Sequence, residues 1–464
     1  MRNRRDAIQV TALRPGRLTF VSRADQETRQ EGSGGGIGES AGRTRGPVRR
    51  KGVLRSLGLS LITGAADADP SAIGTYASAG AALGPSFLWT APVTFPMMIT
   101  VVYLSSKVGQ VSGEGLFALL RKHYSKWILY SALAAAVTGN TIEAGADIGG
   151  IAAALRLLAP IPVPIILATV TAIILALQLW GSYTLMRDTF RWLALILLAY
   201  IGAAILAKPD WSEVLRGTLI PHIQPSRKFL SLLVAVIGTT LSAYLYTWQS
   251  NQEVEEKIAH GQRSLQDRKG TTAEVLRSTR MDVVLGMLFS SIVMYFVMLA
   301  TSATLFTTGQ REITTAAEAA EALRPLAGDT AKWLFALGLI GAGFVAVPVM
   351  TAGAAYDLAQ SFNWKYGLSK KPREAKRFYA AIVVCTVIGF AMNFLGLNPM
   401  KALVWAGIVQ GVSTPPLLLL ILLMTNNRQI MGEWVNRRAT NILAGVTLAA
   451  ILAASLALVL VWAI

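Results

Sequence analysis

The chain has 464 residues, of which 53% are hydrophobic and only 15% charged, against about 25% charged in an ordinary soluble domain. Its mean hydropathy is +0.48, and an apolar excess of this size excludes a water-soluble globule. The net charge of +17 sits in segments between apolar runs, as the positive-inside rule produces, so a nucleic-acid partner is not expected.

Residues 1–50 are rich in Arg, Gly and Ser, with Gly32, Gly34, Gly35, Gly36 and Gly38 clustered and no apolar core of a secretory signal. They read as a disordered, basic cytoplasmic tail that can touch anionic lipid. From about Val53 the apolar runs are continuous rather than alternating, so helices and not barrel strands are expected. Eleven spans are expected: 53–82 (interrupted), 86–106, 127–157, 163–180, 188–207, 228–258 (interrupted), 282–305, 331–360, 378–394, 399–424 and 440–463. Apolar runs such as Val163–Trp180, Trp192–Ala207 and Ile442–Ile464 are close to the roughly 20 residues that cross a hydrocarbon core of about 30 Å.

The segments after even-numbered spans are basic, for example Arg121, Lys122 and Lys126, then Arg263, Arg268 and Lys269, then Lys370, Lys371 and Arg373, then Arg437 and Arg438. The loop after span 4 carries Arg187 and Arg191, and the loop after span 5, with Lys208, Arg216 and Arg227, fits the alternation least well. The pattern places the amino terminus in the cytoplasm and the carboxyl terminus outside a cell (inner) membrane.

Spans 1–5 (51–227) and 6–10 (228–426) form two blocks of five, so the second is inverted relative to the first, and 427–464 supplies a loop and the eleventh helix. Each block opens with an interrupted span. Paired interruptions of this kind mark the binding site of a transporter.

The first interruption is Asp67-Ala68-Asp69-Pro70-Ser71. Two carboxylates at this depth cost several kcal/mol each unless water, a partner or a cation meets them. Pro70 has no N–H and breaks the helix at or before Asp69. The break frees carbonyls beside the carboxylates, and such oxygens suit a hard divalent cation. Helix capping is the competing role for both acids, with Asp69 the stronger ligand candidate. The second interruption runs Gly238-Thr239-Thr240-Leu241-Ser242-Ala243-Tyr244. It has no proline; its hydroxyls and its pairing with span 1 are what suggest unwinding. Gln249 to Lys257 reads as a helix emerging into the cytoplasm.

Asn140, Glu143 and Asp147 fall on one face of span 3. A proton relay, a cation pathway and a structural role stay open for them. Asp282 and Asp357 fall near cytoplasmic ends and are expected to be solvated. Pro415-Pro416 should kink span 10 just after Gln410, which could reach the ion or bond a neighbouring helix. One cysteine, Cys385, and three histidines outside the spans exclude a disulfide framework and a Cys/His metal cluster.

The segment Gly64-Ala65-Ala66-Asp67-Ala68-Asp69-Pro70-Ser71-Ala72-Ile73-Gly74-Thr75-Tyr76, with Thr239-Thr240-Leu241-Ser242-Ala243-Tyr244 and Trp248-Gln249, resembles the Nramp superfamily. It is most similar to the branch that includes prokaryotic magnesium transporters. The resemblance implies an all-α, leucine-transporter-like fold, with a metal ion held between the broken helices 1 and 6. Against the family's Asp-Pro-Gly-Asn and Met-Pro-His motifs, Asp69 matches the metal-binding aspartate. Ala72 stands at the asparagine, Ser242 at the methionine, and Ala243 and Tyr244 at the proline and histidine. Thr239 matches the position whose carbonyl contributes. The candidate metal site is therefore Asp69, Asp67, Thr239, Ser242, Ala66 and Ala72, and the pathway or coupling set is Asp147, Glu143, Asn140, Tyr244 and Gln410.

A hydroxyl in place of a thioether favours harder ions, so Mg²⁺ is expected first and Mn²⁺ second. The family histidine is absent, span 9 lacks the family's basic residues, and Ala144 replaces one of the family's acids on span 3. Transport without proton coupling is therefore expected; a proton-coupled Mn²⁺/Fe²⁺ importer is the alternative. An amino-acid carrier is disfavoured because Asp67 and Asp69 repel an anion. An intramembrane aspartyl hydrolase would need a second aspartate motif, which the sequence lacks. A channel of the same topology stays open. The chain is expected not to be an enzyme and to need no cofactor beyond the ion carried; its partners are that ion and the bilayer, and a monomer suffices.

Overall fold

The computed structural model describes residues 59–181, 195–224 and 226–463. The basic tail (1–50), the start of the first span, Arg187 and Arg191 lie outside the described residues. Every regular element among those described is helical.

The first span is two helices, α1 (Leu59–Asp67) and α2 (Pro70–Leu83). Pro70 sits at the first turn of α2, where its missing N–H costs nothing, and Asp69 is the N-cap, with extended backbone (φ −72°, ψ 173°). α3 (Thr90–Ser112) ends at Gly113, whose φ of +70° is the left-handed cap conformation glycine adopts freely. α4 (Leu116–His123) buries Leu116 to Leu120 and leaves Lys122 and His123 to solvent, an amphipathic helix where the sequence suggests a plain basic loop. α5 (Lys126–Leu158) is 33 residues long, about 50 Å at 1.5 Å per residue, so its ends extend beyond the hydrocarbon.

After α6 (Val163–Trp180) and α7 (Ala199–Leu206) comes α8 (Trp211–Leu219). Asp210 caps α8, and hydrogen bonds from the Ser212 hydroxyl and then from backbone N–H groups hold its carboxyl below the usual carboxylate range. Trp211, Leu215 and Leu219 are exposed along one side of α8, the pattern of a helix lying in a membrane interface.

The sixth expected span is also two helices, α9 (Arg227–Thr240) and α10 (Ala243–Ala259). The rest are α11 (Ala273–Thr301), α12 (Ala331–Ser361), α13 (Lys376–Met392), α14 (Pro399–Asn426) and α15 (Arg438–Ala463). Pro415 and Pro416 fall inside α14, which runs on helically through both. Among the described residues, seven helical segments are long and apolar enough on their own to cross a membrane. α6, α13 and α15 turn Ile165, Ile173, Val384, Ile388, Val446 and Leu460 outward, as lipid-facing surfaces require.

The two breaks are held by close helix contacts. A Cβ on Gly64 of α1 would lie 2.1 Å from the Gly286 carbonyl oxygen of α11. One on Gly238 of α9 would lie 2.0 Å from the Gly407 carbonyl oxygen of α14. Only glycine permits such backbone contact. Buried apolar side chains form two clusters, one containing Ala66, Leu241 and Tyr244, the other Ala68, Ala72 and Val236. The breaks lie where the two clusters meet.

Candidate metal site

A helix that stops leaves backbone groups without partners, and the two breaks meet this need differently. The Ala66 carbonyl would bond the N–H of residue 70, but Pro70 has none. The Tyr244 hydroxyl of α10 instead lies 2.8 Å from that carbonyl and 2.9 Å from Asp69 Oδ2. With one proton to donate, it is shared between the two oxygens. Asp69 Oδ1 accepts from the Ala72 N–H at 2.6 Å and the Ser71 hydroxyl at 2.7 Å. At the second break the Ser242 hydroxyl lies 2.9 Å from the Gly238 carbonyl and 3.1 Å from that of Thr239. The Leu241 carbonyl accepts from the Tyr246 hydroxyl and, at 3.1 Å, from Thr414 of α14.

α5 brings further acids to this point. Glu143 Oε1 is 3.2 Å from both the Ser71 and Ser242 hydroxyls, and Oε2 accepts from Gln410 Nε2 at 2.6 Å. Asp147 Oδ1 accepts from the Ser71 N–H at 2.9 Å, while Oδ2 has no hydrogen-bond partner. Gln410 Nε2 also approaches Asn140 Oδ1, at 3.4 Å. Asp69, Glu143 and Asp147 are thus joined through Ser71, and all three are completely buried. No ion pair among the described residues reaches them or Asp67. Burial of unpaired carboxylates is costly, and protonation or a cation relieves that cost. No three Cys, His, Asp or Glu side chains among the described residues converge tightly enough to cage an ion. A cation held here must also use hydroxyls, carbonyls or water.

The structure therefore brings together Asp69, Ala66, Ala72, Ser242, Tyr244, Glu143, Asp147, Asn140 and Gln410. Thr239 joins through its carbonyl; its own hydroxyl is buried without a partner. Asp67 stands apart. Its Oδ2 accepts from Ser290 of α11, and Oδ1 is buried with no partner.

Three points differ from the sequence reading. Gln249 to Val254 do not emerge into solvent: they are buried, because α3 and α12 pack against α10. Asp357 is completely buried rather than solvated, on a part of α12 where neighbouring Tyr356 packs against Tyr366 and Phe378; Asp282 is half-buried. Ser71 and Ser290 escape the sequence reading, although Ser71, two residues beyond Asp69 and next to Pro70, is open to inspection. Nothing local marks Ser290.

The sequence profile of the Natural resistance-associated macrophage protein-like (Nramp) family matches residues 60–461. The chain belongs to the Nramp family. Its relatives include proteins named divalent metal cation transporter MntH. That of Caldanaerobacter subterraneus is 27% identical, covering 84% of this chain and 89% of the relative. That of Chromohalobacter salexigens is 26% identical, covering 86% and 90%. The fold is that of the Eremococcus coleocola manganese transporter, in a mutant structure (TM-score 0.66, 15% identity, 91% of this chain and 88% of that one). It is also similar to MhsT in complex with L-phenylalanine (TM-score 0.54, 12% identity, 88% and 97%).

Proposed function

We propose that this Nramp-family protein carries divalent metal ions across the cell membrane by alternating access, with Mg²⁺ its first substrate and Mn²⁺ its second. The observation that carries this reading is Asp69 at the break between α1 and α2, its carboxylate beside the Ala66 carbonyl that Pro70 leaves without a backbone donor. The ion is held by Asp69, the carbonyls of Ala66 and Thr239, and the Ser242 hydroxyl, with Gln410 and retained water completing an all-oxygen set. Hard oxygen ligands and kept waters suit Mg²⁺. The Tyr244 hydroxyl competes with the cation for the Ala66 and Asp69 oxygens.

Eleven crossings in two inverted blocks of five, with the amino terminus inside and the carboxyl terminus outside an inner membrane, complete the arrangement. Entry runs down the ion's own gradient, aided by about 2.3 kcal/mol per charge per 100 mV, without proton counterflow, since Tyr244 replaces the family histidine. The other reading, a proton-coupled Mn²⁺/Fe²⁺ importer, has in its favour the fold shared with a manganese transporter.

Flux into proteoliposomes comparing Mg²⁺, Mn²⁺ and Ca²⁺, with a pH dye inside, tests these statements. Mg²⁺ and Mn²⁺ should enter without a matching pH change, and Asp69→Ala should abolish both. Proton movement that tracks metal entry refutes the uncoupled reading. Ser242→Met should shift preference toward Mn²⁺ or Cd²⁺, and an unchanged ion profile removes Ser242 from the site.

A further inference from the structure

α10 is polar on nearly every side yet buried from Ala243 to Val254. A polar helix face enclosed in a membrane protein needs partners, and these lie along one seam. At its upper end is Asp67, with one oxygen on Ser290 and the other buried and unpartnered. One turn earlier on α1, the Thr63 hydroxyl donates to Gln249 Oε1 at 2.7 Å. Gln249 Nε2 donates to Glu253 Oε1 at 3.1 Å. Glu253, 3% exposed, also accepts from Ser106 and from Gln110 Nε2 of α3. The Oε1 of Gln110 is buried with no partner.

No ion pair among the described residues involves Asp67 or Glu253. Lys257 lies one turn beyond Glu253, near enough to feel its charge, but makes no direct bond to it: its amine donates to the carbonyls of Gln110 (2.5 Å), Arg268 (2.8 Å) and Gly270 (3.0 Å). The seam thus descends from the α1–α2 break toward the basic, cytoplasm-facing end of α10. Asp67 to Thr63 and Gln249 to Glu253 are each one helical turn, about 5.4 Å.

We infer that this seam is the ion's route to the cytoplasm and that Asp67 and Glu253 are successive cation-binding stations on it, separate from the Asp69 site. The inference rests on the transport reading above. Each station holds a buried carboxylate and an oxygen without a hydrogen-bond partner: Asp67's own Oδ1 at the first, Gln110 Oε1 beside Glu253 at the second. A divalent ion that keeps several waters can bond to such oxygens through those waters and step from one turn to the next. Hydrogen bonding alone does not call for charge: glutamine at position 253 could bond Ser106, Gln110 and Gln249 without a buried carboxylate.

The test uses the full chain, with Mn²⁺ as the probe. Uptake is measured in proteoliposomes, and equilibrium binding by calorimetry in detergent. Glu253→Gln should slow the maximal uptake rate at least about tenfold while the half-saturating Mn²⁺ concentration and the binding constant stay within about twofold. Glu253→Asp, which keeps the charge, should retain at least about a third of the rate, and Asp67→Asn should lower the maximal uptake rate as Glu253→Gln does. Retained Mn²⁺ binding shows that each variant is folded. Wild-type or faster uptake by Glu253→Gln overturns the inference. So does Gln outperforming Asp at 253, which marks a hydrogen-bonded latch. If the wild-type protein moves no Mn²⁺ or Mg²⁺, the transport reading falls and the stations with it; if only the Glu253 and Asp67 variants behave as wild type, the stations fall alone.

Discussion

The two broken helices reach the same outcome by different chemistry. The α1–α2 break is written in covalent structure: Pro70 cannot donate to the Ala66 carbonyl, and Asp69 caps α2. The α9–α10 break contains no proline. Side chains stand in for missing backbone donors there, Ser242 on the Gly238 and Thr239 carbonyls, Tyr246 and Thr414 on that of Leu241. The first break is thus local and robust, and the second depends on what packs around it. The two are also tied together, because Tyr244 from the second satisfies Ala66 and Asp69 of the first.

Three substitutions sharpen or break this contrast. The largest effect is expected for Gly238→Ala, whose methyl would lie 2.0 Å from the Gly407 carbonyl oxygen and 2.3 Å from the Gly411 nitrogen. Overpacking of this kind costs about 1–3 kcal/mol or more, so a clear fall in melting temperature and loss of metal uptake are expected. A melting temperature equal to wild type would mean that α9 is not pinned to α14. Next, Pro70→Ala restores an N–H that can bond the Ala66 carbonyl in place of Tyr244. Stability should change by only about 1 kcal/mol, while uptake falls about tenfold as the break closes. Unchanged uptake would deny that the missing donor matters. The smallest effect on metal handling is expected for Tyr244→Phe. It leaves the Ala66 carbonyl without its donor at a cost of about 1–3 kcal/mol, yet it removes the group that competes with the ion. Metal affinity measured by calorimetry should be equal or tighter. Weaker binding would place Tyr244 among the ligands.

The same contrast explains what can be read in the sequence. Asp69, Pro70 and the apolar runs carry local signals, so the first break and the helical membrane fold are legible from residue order alone. The second break is legible only through its pairing with the first, because serine and threonine are common in membrane helices that pack without unwinding. Glu143, Asp147 and Asn140 can be placed on one helix face, but the meeting of Glu143 and Asp147 with Asp69 at Ser71 is a tertiary fact. Gln249 to Val254 mislead for a physical reason. Their polarity signals water in an isolated helix, whereas in the folded chain Thr63 bonds Gln249, Ser106 and Gln110 bond Glu253, and Gln360 bonds Asn251. Asp357 misleads in the same way, since closeness to a helix end does not reveal what covers that end.

Cys385 is the chain's one sulfhydryl, buried on α13. A single change there, to alanine or serine, leaves a background blank to thiol reagents. Paired labels introduced across α1 and α10 could then report, by spectroscopic distance, how far these helices part during each turnover.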